Sequence, residues 1–115
     1  MQEKRKQSRK PIGCALKVSD INHNQAIGCL VDLSEDGFML LSSQSFDAGS
    51  VLQLRFDLPA VVNGQMSIDV GAESLWCSAA NKTDHFWIGF RIIDASDAAA
   101  ATLAIVVRNN EDADT

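Results

Sequence analysis

No stretch of this 115-residue chain approaches the roughly 18 consecutive apolar residues that a membrane-spanning helix needs, although 46% of its residues are apolar. Those residues are dispersed, and a chain of this length buries one ordinary core without staples. The first residues are polar and charged, which does not fit a secretory signal. The expectation is a cytoplasmic, monomeric protein that does not insert into membranes. Cysteine is scarce. Cys14, Cys29 and Cys77 are odd in number and share no metal-type spacing, which argues against a disulfide framework or a zinc site. Cys14 and Cys29 fall on successive expected strands and can face each other across a hairpin. Without a secretory signal all three are expected to stay reduced and to pack as small apolar side chains. Also missing are internal repeats, a glycine-rich phosphate loop, a nucleophile with a companion base and a set of metal ligands. An enzyme is therefore not expected, and neither is a metal or cofactor.

Charge is unevenly spread. Residues 1–10 hold Lys4, Arg5, Lys6, Arg9 and Lys10 against Glu3, a net of +4; the rest of the chain holds five basic and fourteen acidic residues, a net of −9. A basic arm on an acidic body is not a DNA- or RNA-binding domain by overall charge. A small barrel that grips single strands needs a basic groove with interleaved aromatics, and this body lacks the charge for one. The arm can still grip a small anion.

Read in order, residues 1–10 show no periodicity and form a flexible basic arm that Pro11 ends. Ile12, Cys14, Leu16 and Val18 alternate with polar or small residues, which predicts a half-buried strand. Residues 20–25 are a turn by composition. A second strand over 26–32 is expected to turn Ile27, Cys29 and Val31 inward. A third, 38–42, is apolar at nearly every position. Leu52, Leu54, Phe56 and Leu58 form the inner face of a fourth strand that Pro59 should stop. Asn63-Gly64 is the strongest tight-hairpin signal in the chain. A long strand follows from Met66 to about Ala79, with Gly71 marking a bulge or bend. Phe86, Ile88, Phe90 and Ile92 share one face of the next strand, opposite Trp87, Gly89 and Arg91. Ser96 or Asp97 suits a helix N-cap before an alanine run, and Ala99, Leu103, Val106 and Val107 share one helical face.

The expected architecture is mainly β: a small antiparallel barrel of six to seven strands with a C-terminal helix, closure removing open sheet edges. The expected organisation is a flexible arm (1–10), a barrel with its helix (11–108, helix about 96–108) and an acidic tail (109–115). His23 and His85 read as surface residues. Trp76 and Trp87 read as core or barrel-wall aromatics, with lining a pocket or stacking on a base as the alternative for both.

The stretch Val31-Asp32-Leu33-Ser34-Glu35-Asp36-Gly37 joins the second and third strands. A bare connection needs only the glycine, and Asp and Ser can close such a turn by bonding to local backbone groups. The chain start adds Arg5 and Arg9, two guanidinium groups four residues apart. R-x-x-x-R followed 23 positions later by D-x-S-x-x-G resembles the signature of the PilZ domain, the bacterial receptor module for cyclic di-GMP. Both halves in this order arise by chance in roughly one sequence in several hundred, and the expected barrel and terminal helix are those of the family.

The resemblance implies a binding site made of Arg5, Arg9, Asp32, Ser34 and Gly37. Guanine O6 and N7 match the fork of one arginine, and a guanidinium plane also stacks on the base. Asp32 accepts from guanine N–H groups, Ser34 donates to a phosphate or fixes the turn, and Gly37 allows a conformation or an approach that a Cβ blocks. Lys4, Lys6, Lys10 and Trp76 are accessory candidates. Lys4 precedes the first motif arginine, a position that influences ligand number in this family, and a cation there favours a stacked pair over one molecule. The implied function is a cyclic di-GMP receptor that changes conformation to regulate a protein partner. The alternative is an adaptor that acts without nucleotide.

Overall fold

The computed structural model of the protein describes residues 16–80 and 84–113; the arm, Arg5, Arg9 and Cys14 lie outside them. Six antiparallel strands and one helix occur among the described residues: β1 (Lys17–Asp20), β2 (Gln25–Leu33), β3 (Gly37–Ser42), β4 (Val51–Val62), β5 (Gln65–Ala79), β6 (Phe86–Ala95) and α1 (Asp97–Ala113). The strands close into a barrel in the order β1-β2-β3-β6-β5-β4, with β1 pairing β4 to complete the ring. The barrel is thus six-stranded, at the lower end of the expected six to seven. No helix among the described residues is long and apolar enough to cross a membrane.

The interior follows period-two alternation wherever pairing is regular. In β4, Leu54, Phe56 and Leu58 are buried while Gln53, Arg55 and Asp57 are exposed. Ile68 and Val70 of β5, Ile88 and Phe90 of β6 and Val18 of β1 meet them in one cluster. Phe38 lies stacked with Phe90, ring centroids 5.0 Å apart, and edge-on to Phe56 at 4.9 Å.

Strand β2 departs from the expected inner face. Ile27 is buried, but the next inward residues are Leu30 and Leu33, while Cys29 and Val31 are only half-buried. Two irregularities cause this. Ile27 is skipped in the pairing with β1, and Val31 in the pairing with β3. Each extra residue moves the alternation by one place. Cys29 is disulfide-bonded, against the expected reduced state, whereas Cys77 is a free, half-buried thiol.

Strand β4 also runs past Pro59 to Val62. The ladder with β5 is regular to Asp57 opposite Ser67 and resumes only at Val62 opposite Gln65. Pro59 sits in the unpaired bulge, where its missing N–H costs no ladder bond. Asn63 and Gly64 then turn with φ of 53° and 74°, as a two-residue hairpin requires.

Helix α1 is capped by Ser96, whose Oγ accepts from Ala99 N at 3.0 Å. Ala99, Leu103 and Val107 enter the core cluster, with Val106 packed against it, and the helix lies on β5 with β4 and β6 beside it. It continues to Ala113, five residues past the expected end at Arg108, because Asn109–Ala113 contains neither glycine nor proline to stop it.

Candidate functional site

The link between β2 and β3 is a turn tied by its own serine. Ser34 N donates to Gly37 O at 2.8 Å, Ser34 Oγ donates to the same carbonyl at 3.1 Å, and Gly37 N donates to Ser34 Oγ at 3.2 Å. Of the two roles open to Ser34, the hydroxyl fills that of turn-fixer. The turn is also fastened to the neighbouring strand, since Ile92 N donates to Asp36 O at 2.9 Å. Gly37 stands opposite Arg91 in the β3–β6 ladder, and a Cβ on it would collide with the Phe90 carbonyl oxygen. The glycine is required by close backbone approach, not by a left-handed φ.

These residues form one wall of an open cavity of about 380 Å³ on the outside of the barrel, within the size range of small-ligand pockets. Asp32, Ser34 and Gly37 all line it, as do Trp76 and Arg91. Three of the five motif residues are thus brought to one cavity. The other two, Arg5 and Arg9, and the accessory Lys4, Lys6 and Lys10 lie outside the described residues.

Trp76 departs from its expected place in the core or barrel wall. It is 44% exposed and pairs across the ladder with Gly89, on which a Cβ would collide with the indole. The absent side chain leaves the ring room to lie against β6. Leu75, the residue before it, is also exposed and lines the cavity. Neighbours in a regular strand face opposite ways; here Leu75 is skipped in the pairing, Ser74 standing opposite Phe90 and Trp76 opposite Gly89. Buried Ser74 holds this bulge. Its Oγ donates to Asp47 O at 2.6 Å and accepts from Ser50 N at 3.0 Å, so the 43–50 loop is clipped beside the cavity. Trp87, half-buried, does not line it.

Arg91, Asp36 and Leu75 are lining residues that the motif reading missed. For Arg91 the signal was present in the alternation of β6, which sets it outward with Gly89 and away from Phe90. Its Nη2 donates to Glu73 Oε1 at 2.5 Å, and Glu73 is its ladder partner on β5. Among the described lining residues Asp32 and Asp36 are acidic and only Arg91 is basic. Elsewhere on the outer face Asp69 binds Arg55 through two bonds of 2.8 and 3.0 Å, and that hydrogen bond, with the carboxylate charge, raises the guanidinium pKa further.

The family model of the PilZ domain matches residues 3–109. This chain belongs to the PilZ domain family. Solved structures agree with that membership at the level of fold. A Bacillus subtilis inhibitor of motility (MotI/DgrA) superposes with a TM-score of 0.70 at 14% identity, over 96% of this chain and 53% of that one. The PilZ domain of YcgR from Escherichia coli, solved with c-di-GMP, superposes at 0.64 with 16% identity, over 91% of this chain and 88% of that one. The chain spans about half the length of the Bacillus protein it matches. No curated protein matches it. The closed barrel is therefore shared with proteins of very different sequence.

Proposed function

We propose that the protein is a non-catalytic receptor for cyclic di-GMP and that the nucleotide occupies the cavity beside the β2–β3 turn. The observation that carries this reading is the meeting of Asp32, Ser34 and Gly37, the second half of the family motif, on one cavity wall with Trp76. Membership of the PilZ family and the c-di-GMP held by the E. coli YcgR domain support it. In this reading Asp32 takes guanine N–H donors and Trp76 offers a face for a base. The Ser34 turn holds the wall in register. The acidic wall cannot bind a dianion alone, so Arg5 and Arg9 supply forks for phosphate or guanine and the lysines supply attraction.

Residues 1–10 act as an arm that the ligand orders over the barrel, changing the surface offered to a protein partner. One molecule or a stacked pair is held, Lys4 favouring the pair. Titration with cyclic di-GMP, cyclic di-AMP and a mixed-sequence oligonucleotide, followed by Trp76 fluorescence in a Trp87→Phe background, tests the assignment. The expected result is saturable binding of cyclic di-GMP alone, with guanine preference reduced in Asp32→Ala. Equal affinity of that variant and the parent for both dinucleotides would remove Asp32 from the site. No response to any of the three would leave a nucleotide-independent adaptor.

A further inference from the structure

Arg91 stands between two unlike neighbours. On β5 its ladder partner is Glu73, whose carboxylate it holds at 2.5 Å; on β3 its ladder partner is Gly37, which has no side chain. Directly opposed residues on one sheet face lie roughly 5 Å apart at Cβ, so the space over Gly37 is as near to Arg91 as Glu73 is. That space belongs to the cavity, which Arg91 itself lines. The arginine side chain is 59% exposed and the Glu73 side chain 29%, so the guanidinium can turn without disturbing the core.

Resting on the nucleotide reading above, we infer that Arg91 is a further binding residue, and that a phosphodiester of the ligand takes its guanidinium from Glu73. A carboxylate and a phosphodiester each present two acceptor oxygens to the same fork. The exchange therefore replaces one charge-assisted contact with another and leaves no guanidinium stranded. A guanine edge is a poorer competitor, because its acceptors carry no formal charge and lack the Coulomb attraction that a phosphodiester brings. Glu73 is then a built-in competitor. It holds Arg91 in place when the cavity is empty and lowers the affinity when the ligand arrives.

Calorimetric titration with cyclic di-GMP over a series of salt concentrations separates the possibilities, using the parent, Arg91→Gln, Glu73→Gln and the double variant. Arg91→Gln is expected to bind about tenfold more weakly, with a salt dependence shallower by about one ion, as loss of a phosphate contact gives. Glu73→Gln is expected to bind about threefold more tightly, and that gain is expected to vanish in the double variant. Arg91→Lys, which keeps the charge but loses the fork, should fall between parent and Arg91→Gln. Parent-like affinity of Arg91→Gln and Arg91→Lys would overturn the inference, as would a Glu73→Gln gain that survives intact without Arg91. Absence of binding by the parent is a different failure: it overturns the nucleotide reading and this inference with it.

Discussion

At the scale of single residues, two glycines shape the cavity by what they omit. Gly37 lets the β6 backbone pass, and the atom that a Cβ would strike is a carbonyl oxygen in a ladder, which cannot move aside cheaply. Gly37→Ala is therefore expected to destabilise the fold by about 1–3 kcal/mol and to abolish ligand binding, as chemical denaturation and titration will show. Gly89→Ala strikes a side chain instead, the Trp76 indole, which can swing away. This substitution is expected to leave the midpoint of unfolding nearly unchanged while shifting the Trp76 fluorescence, read in a Trp87→Phe background, and weakening binding. A large loss of stability in Gly89→Ala would show that the indole is a structural prop and not a mobile wall. The motif residues were legible because their types and spacing are set by a short turn, a local matter. Trp76 was legible only as an accessory candidate and Arg91 not at all, because a place in a cavity depends on which strand lies opposite. Alternation reveals only that Arg91 faces outward.

At the scale of elements, the bounds of β2, β3, β5 and β6 were legible to within two residues, whereas the inward face was misread where bulges interrupt β2. Alternation in β4 identified Leu54, Phe56 and Leu58 as core. The same rule misplaced Cys29 and Val31 in β2, where nothing in the strand marks the skipped residues, whereas Gly71 did mark an irregularity in β5, Asp94 standing opposite Gly71 and Ile92 opposite Ala72. Pro59 misled for a related reason: a proline stops a paired strand, and β4 is unpaired there. The helix end was misplaced because an acidic, asparagine-rich stretch reads as a tail, yet it holds no residue that forbids helix. The bulge at Leu75 carries a functional consequence. Ser74, almost fully buried, fixes it through Asp47 and Ser50. Ser74→Ala removes both bonds of a buried hydroxyl while Ser50 N keeps its bond to Asp47 O, so a cost of about 0.5–1.5 kcal/mol is expected in denaturant titrations. The variant should also bind more weakly, since Leu75 and Trp76 lose the geometry that turns both toward the cavity. Unaltered affinity with reduced stability would confine Ser74 to a structural role.

At the scale of the whole molecule, the fold separates its charges from its core. A closed barrel carries an acidic exterior, and the cations that an anionic ligand requires are concentrated in residues 1–10. Removing one of them should change binding without changing the barrel, because lysine and arginine side chains rarely contribute to an apolar core. Ligand that saturates the parent at a hundredfold excess over Kd should stabilise it by about 2.7 kcal/mol.

The most direct measurement is calorimetric titration of the full chain with cyclic di-GMP at two salt concentrations, beside Arg9→Ala. Saturable binding by the parent that weakens with salt, lost in an Arg9→Ala variant of unchanged melting temperature, is the predicted result. An Arg9→Ala variant that binds as the parent does, or a parent that takes up no cyclic di-GMP at either salt concentration, would contradict the account.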